Sequence, residues 1–237
     1  MLRVVDLHKY YGNDRILAGV DLHVRKGEIK GLIGVNGAGK TTLIECVCGV
    51  KPLTSGKVYI KDQDISKTSA RNAVKPLIGY MPQAFGMFND LTTEENLSYL
   101  CAVYGIEKPR LEDVIKECFL EKERKVLACN LSGGYRKLLS MACALIHRPE
   151  LLILDEPTVA MDPIFRERFR EIVKKEKEKG RTILFITHYF EELRDCDTFA
   201  CLSDGRIVYE GAVSDVLEKS SAEQEAFWQN FFLGEKK

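Results

Sequence analysis

The sequence has no surplus of either charge: 35 lysines and arginines stand against 35 aspartates and glutamates. Without a net field the chain has no global attraction for a polyanion, which argues against nucleic acid as a partner. It also lacks any apolar run near the about eighteen residues that a membrane span needs. Its first residues, MLRVVDLHKYYG, alternate apolar with charged positions instead of building the apolar stretch of a secretion signal. Any work at a membrane therefore has to pass through another chain. The cysteines (46, 48, 101, 118, 129, 143, 196 and 201) show neither CxxC pairs nor a Cys/His metal spacing. Most lie in apolar stretches and read as small hydrophobes of a reduced protein. Internal repeats and low-complexity linkers are absent too.

What is present is an ordered alternation of strands and helices over 237 residues. The first thirty or so positions alternate in strand fashion (LRVVDLH, then RILAGVDLHV), broken at Gly12-Asn13-Asp14 and Lys26-Gly27. EIKGLIGV, LLILD and TILFIT read as buried strands, and GKVYIKDQDI as a strand pair or edge. Helical periodicity covers Lys40 to Gly49, Thr92 to Leu120 with breaks at Gly105 and Pro109, Ser132 to about His147, and the stretch after Pro163 up to Gly180. TFACLSDGRIVYEG reads as a hairpin about Asp204-Gly205. Uniformly apolar strands alternating with helices predict an α/β fold with a largely parallel sheet covered on both faces. An N-terminal antiparallel layer and an all-helical insert at about 84–147 complete the expected architecture.

Between a buried strand and a helix lies GVNGAGKT, residues 34–41, which fits G-x-x-x-x-G-K-[ST] in the context that the motif requires. Gly34, Gly37 and Gly39, with Asn36 and Ala38 between them, let the backbone curl so that its N–H groups converge on phosphate oxygens. The helix start adds its positive dipole end. Lys40 supplies a mobile charge for the β- and γ-phosphates, and the Thr41 hydroxyl can ligate Mg²⁺.

Hydrolysis needs more than a cradle. LLILDEP sets Asp155 and Glu156 at the end of an apolar strand, where a parallel sheet opens to its ligand. Asp155 can hold Mg²⁺ through water, and Glu156 can polarise the attacking water as general base. His188 follows the next strand as a γ-phosphate contact, and Gln83 in GYMPQ ends a short strand with its carbonyl oxygen able to reach metal or water. A second anion site is legible in LSGGYRK, residues 131–137, where a serine and two glycines open a helix.

Taken in order, GVNGAGKTT, MPQ, LSGGYRK, LLILDEP, VAMD and ITH resemble the Walker A, Q-loop, signature, Walker B, D-loop and switch-histidine motifs of ABC transporter ATP-binding subunits. The resemblance covers residues 1 to about 219 and implies a P-loop NTPase with a RecA-like core and an inserted helical subdomain, followed by a tail at 220–237. It implies ATP and Mg²⁺ as ligands. It also accounts for two phosphate sites in one chain: such subunits pack head to tail, and Ser132, Gly133 and Gly134 of one close on the ATP held by the other. One copy of each half-site per chain implies a dimer, in the simplest case a homodimer. By position Tyr11 matches the residue that stacks on adenine, although the sequence alone leaves Tyr10 and Tyr11 equal. Thr42 matches the α-phosphate contact, and Asp162 closes the D-loop that touches the opposite site.

Two positions depart from the family pattern. Tyr135 stands where glutamine is usual, which leaves that side chain's contact open, and Met161 replaces the usual leucine at similar volume. The helical insert is expected to form, with the Q-loop, a groove for transmembrane permease subunits. Phe85, Met87, Phe88 and Leu91 read equally as that groove or as core. Phe227, Trp228, Phe231 and Phe232 in the tail read either as docking on their own domain or as a partner contact. The functional expectation is a peripheral ATPase subunit on the cytoplasmic face of a membrane, powering transport and leaning to export. The alternative is a soluble ABC ATPase such as one of iron–sulfur assembly.

Overall fold

A computed structural model describes residues 1–66 and 68–217, so the aromatic tail lies outside the described residues. In chain order the elements are strands β1 (Leu2–Tyr11), β2 (Asp14–Val24) and β3 (Ile29–Ile33), helix α1 (Lys40–Val47), strands β4 (Ser55–Ile60) and β5 (Gln63–Asp64), and helix α2 (Thr68–Val74). Strand β6 (Ile78–Met81) is followed by helices α3 (Thr93–Tyr104), α4 (Lys108–Glu117) and α5 (Gly133–Leu145). Then come β7 (Leu151–Asp155), α6 (Pro163–Glu178), β8 (Thr182–Thr187), β9 (Thr198–Ser203), β10 (Arg206–Ala212) and α7 (Ser214–Leu217). They form two compact units. One comprises residues 1–75 with the described residues from 182 onward, the other residues 76–181.

The first unit carries an antiparallel sheet in the order β2-β1-β4-β5 and, beside it, strands in the order β10-β9-β3-β8. The β1–β2 hairpin turns at Gly12, whose φ of +58° is easily adopted by glycine. β3 and β8 are buried along their whole length, as the unbroken runs IKGLI and TILFIT require. Each fully buried leucine or isoleucine there is worth roughly 1.5–3 kcal/mol of transfer free energy. The register decides where the chemistry appears. Ile33 of β3 pairs in parallel with Thr187 of β8 and with Cys201 of β9, so the residues after Ile33 and after Thr187 leave neighbouring strand ends together.

In the second unit β6 and β7 pair in parallel, with Met81 opposite Leu154. This brings the chain after Met81 and the chain after Leu154 out at one end. Helix α5 lies directly on this pair: a Cβ on Gly79 would stand 2.3 Å from the Ala144 carbonyl oxygen. Residues Leu138–Leu145 of α5 are buried throughout. Its C-terminal carbonyls are satisfied by the buried Arg110, which donates to Leu145 O at 2.9 Å and Ile146 O at 3.3 Å and is itself paired with Glu117 at 2.7 Å. Helix α3 begins with a capping box: Thr92 Oγ1 accepts from the Glu95 N–H at 3.2 Å, and Glu95 accepts from the Thr92 N–H at 2.8 Å.

The expected strands, helices and hairpin are present, together with two short helices that the sequence reading did not foresee, α2 and α7. Six of the eight cysteines are buried and all eight are free thiols.

Candidate functional site

In the first unit the glycine-rich loop of residues 34–41 is braced from behind. A Cβ on Gly34 would meet the Leu202 carbonyl at 2.4 Å, and one on Gly39 would meet Leu17 Cδ2 at 2.8 Å. The Gly205 N–H at the β9–β10 turn donates to Ala38 O at 3.3 Å, while the Gly205 carbonyl accepts from the Ala18 N–H at 2.8 Å. These glycines therefore serve packing. Gly37 and Gly39 adopt φ of +84° and +101°, the left-handed region that reverses the chain into α1.

The start of α1 fits an anion. Its N-cap is Gly39 with no side-chain cap, and no acidic residue lies in the first turn. By contrast α3, α5 and α6 are capped by Thr92, Ser132 and Asp162. A helix start without a capping side chain keeps its N–H donors and positive dipole end for an incoming phosphate. Lys40 is buried, and its Nζ donates to Gly34 O at 2.7 Å and Val35 O at 3.2 Å, which curls the ammonium over the loop. Thr41 and Asn36 are exposed, and Thr42 is half-buried. Tyr11 is exposed at the end of β1, with Lys9 Nζ 4.8 Å and Lys51 Nζ 5.5 Å from its ring centroid. Tyr10 is equally exposed, so burial does not separate the two. His188, the first residue after β8, leans on the Tyr189 ring at 4.0 Å between centroids. The turn behind it is fixed by Thr187 Oγ1, which accepts from the Tyr189 N–H at 2.9 Å and donates to Glu192.

The second unit gathers the residues expected to take part in hydrolysis. Asp155 and Glu156 are both buried at the end of β7, and the Tyr80 hydroxyl donates to Asp155 Oδ2 at 3.4 Å. Gln83 Nε2 donates to Glu156 Oε2 at 2.8 Å, joining residues 73 apart in sequence. Glu156 has φ +45°, a left-handed conformation unusual for a non-glycine residue and a mark of a side chain held in a particular direction. Lys137 of α5 donates to the backbone carbonyls of Gln83 at 2.8 Å and Glu156 at 3.4 Å. Burial pushes the Lys137 ammonium below the ordinary lysine value, and the carboxylates of Asp155 and Glu156 oppose that shift.

Ser132 caps α5, its Oγ accepting from the Tyr135 N–H at 3.5 Å. Both Ser132 and Gly133 are exposed, and a Cβ on Gly133 would meet nothing within 4 Å. Gly134 differs: a Cβ there would lie 2.4 Å from the Phe165 ring of α6. The unusual Tyr135 stacks edge-on against the same ring at 4.8 Å, which gives its side chain a partner within the unit. Gly134→Ala is therefore expected to lower the melting temperature through overpacking of about 1–3 kcal/mol, and Gly134→Ala/Phe165→Leu to recover most of it in a thermal melt. Asp162 Oδ1 accepts from Ile164 N at 2.9 Å and Phe165 N at 3.1 Å, so its carboxylate acts as the cap of α6.

A sequence profile of the ABC transporter family matches residues 17–159. The linearmycin resistance ATP-binding protein LnrL of Bacillus subtilis is 35% identical over 224 residues, covering 92% of this chain and 71% of that protein. The chain belongs to the ABC transporter family. It is an ABC ATP-binding subunit and an ATPase of the P-loop class. The probable multidrug ABC transporter ATP-binding protein YbhF of Escherichia coli is 31% identical over 95% of this chain, which spans 39% of that relative's length. A solved ATP-binding subunit of an ABC transporter superposes with a TM-score of 0.85 at 28% identity, covering 96% of this chain and 98% of its own. The dimeric structure of a bacterial ABC transporter cassette superposes at 0.83 and 25% identity, over 90% of this chain and 99% of its own. That cassette has also been solved as a dimer after hydrolysis, with ADP and phosphate bound.

Two residues of consequence escaped the sequence reading of this ABC ATPase. Lys137 carries no motif signal beyond its place in LSGGYRK. Asn96, fully buried, donates through Nδ2 to the carbonyls of Phe88 (3.0 Å), Leu91 (3.2 Å) and Thr92 (3.0 Å), and accepts from the Phe88 N–H at 3.0 Å. It holds the segment after the Q-loop in shape. With that segment fixed, Phe88 is 46% exposed and meets Tyr99, 48% exposed, edge-on at 5.1 Å. Phe88 thus belongs to the surface rather than the core.

Proposed function

We propose that two copies of this ABC ATPase close head to tail around two ATP molecules and drive transport, in the export direction, through separate transmembrane permease subunits. The observation that carries the hydrolytic part is the Gln83–Glu156 pair at 2.8 Å, a carboxylate at a strand end held by an amide. Glu156 is the general base for the attacking water, and Gln83 orients both. Lys40 and the N–H groups of residues 34–41 bind the β- and γ-phosphates, Thr42 meets the α-phosphate, and Tyr11 stacks on adenine. His188 meets the γ-phosphate. From the second copy Ser132, Gly133 and Gly134 close on the terminal phosphate, and Asp162 approaches the same site.

Among the described residues no cluster of three or more histidines, cysteines or acids could hold a metal by itself. That suits Mg²⁺, which keeps waters and takes phosphate oxygens beside one or two protein ligands. Thr41, Asp155 and Gln83 are its proposed protein partners, and the ion would supply charge neutralisation on the phosphates.

Head-to-tail pairing is supported by the dimeric cassette to which this chain is similar. Export is supported by the resistance and multidrug names of LnrL and YbhF, although a methionine import ATP-binding protein of Rhizobium johnstonii also reaches 36% identity. No helix among the described residues is long and apolar enough to cross a membrane, so a permease would be supplied by other chains or segments. Phe88, Tyr99 and Val103 offer an exposed apolar strip of the kind that such a partner covers. Detergent extraction of native membranes followed by affinity capture of this chain is expected to bring down a polytopic membrane protein. Recovery only from the soluble fraction would point to a soluble ATPase instead.

A further inference from the structure

We infer that Lys137 is a positioning residue for hydrolysis, clamping the main chains of Gln83 and Glu156 so that the general base and its orienting amide stay in register. The inference rests on the ATPase reading above and adds to it a residue outside the family's motif roles set out there. Gln83 and Glu156 each lie two residues beyond the last paired positions, Met81 of β6 and Leu154 of β7. The strand ladder fixes Met81 against Leu154, but beyond that pair the two loops have no ladder to hold them together. The two side chains meet through the hydrogen bond from Gln83 Nε2 to Glu156 Oε2 at 2.8 Å. Lys137 supplies what the ladder no longer does. Its ammonium donates to the Gln83 carbonyl at 2.8 Å and to the Glu156 carbonyl at 3.4 Å, bridging the two backbones from a helix whose residues from Leu138 to Leu145 are buried.

Three physical points make this bridge functional in character. A lysine has three donors and no acceptor, so it can satisfy two carbonyls at once while carrying the charge that strengthens both bonds. The Glu156 carbonyl that it grips belongs to the residue with φ +45°, so the clamp acts on the conformation that aims the carboxylate. Lastly, the contacts are to main chain, so they survive replacement of either catalytic side chain. That separates the role of Lys137 from those of Gln83 and Glu156. Lys137 makes no proposed contact with nucleotide. It acts through the residues it holds.

The test is steady-state ATP hydrolysis, equilibrium binding of a fluorescent ATP analogue and a thermal melt, run on the full chain for Lys137→Met, Lys137→Arg and the native protein. Lys137→Met is expected to lose kcat by about 10- to 100-fold, the effect of a small misplacement of a catalytic group. Analogue affinity should stay within about twofold, since the phosphate loop is untouched. Lys137→Arg, which keeps the charge and can still reach two carbonyls, is expected to regain most of the loss. Should Lys137→Met fail to fold, Lys137→Gln, which retains one donor side, takes its place with a smaller loss in kcat expected at unchanged affinity. Native-like kcat in the neutral variants overturns the inference. So does a loss that falls equally on affinity, melting temperature and kcat, or one that Lys137→Arg does not relieve. A native chain that binds no ATP analogue would instead sink the ATPase reading itself, and this inference with it.

Discussion

Glu156→Gln is expected to bind ATP like the native chain and to lose turnover by about 10²- to 10⁴-fold, the usual contribution of a general base. The substitution preserves shape and removes only the charge and the proton-accepting ability of the carboxylate. Asp155 is unaltered at the end of β7, with the Tyr80 hydroxyl at 3.4 Å. The Lys137 contact to the Glu156 main chain at 3.4 Å does not depend on the side chain that is changed. ATP should therefore accumulate uncleaved, and the closed pair with it. Light scattering with ATP and Mg²⁺ is expected to show twice the monomer mass for this variant, falling back to monomer without nucleotide. Substantial steady-state hydrolysis by Glu156→Gln would falsify the assignment of the base. A monomer that binds ATP but never pairs would show that closure requires a different chain.

The second large effect is expected from Ser132→Arg placed on the Glu156→Gln background. Ser132 is exposed at the start of α5, and its hydroxyl caps the helix through the Tyr135 N–H at 3.5 Å. Loss of that cap costs about 0.5–2 kcal/mol, too little to unfold a domain of ordinary stability. The consequence lies at the surface, where a bulky guanidinium replaces a small hydroxyl beside Gly133, itself open on its Cβ side. The residues proposed to hold the phosphates, 34–41, are unaltered, so binding of ATP by each monomer should persist. The ATP-dependent dimer mass should vanish. Isothermal titration beside light scattering separates the two: retained nucleotide affinity with no dimer supports Ser132 at the closing face. A dimer that forms regardless places that face elsewhere.

Much of the candidate site was legible because its signals are local. Glycines at 34, 37 and 39 followed by Lys40 and Thr41 need only a strand before and a helix after, and both are present as β3 and α1. Pro163 in the first turn of α6 and Gly180 just past its end likewise lie beside the helix that they mark. Short-range chemistry of this sort is written in consecutive letters. Helix α2 was missed because residues 68–74, TSARNAV, offer little apolar periodicity, and among its described side chains only Val74 reaches the core. Asn96 was missed because a polar letter inside an amphipathic helix looks solvated, yet here it is fully buried and satisfied by four backbone hydrogen bonds.

The sequence alone determined the family and the order of the main elements, since each depends on residue type at fixed spacing. The tertiary structure decided which distant letters act together. Parallel register between β6 and β7 brings Gln83 to Glu156 across 73 residues, and no local pattern encodes that meeting. It decided that Gly134 must be small to clear the Phe165 ring, and that Tyr135 finds its partner on the same ring. It also made Lys137, an ordinary surface-type letter, a bridge between two backbones. The physical reason is common to all of these: strand register and helix packing are set by long-range burial, and the contacts they create have no signature until the chain has closed on itself.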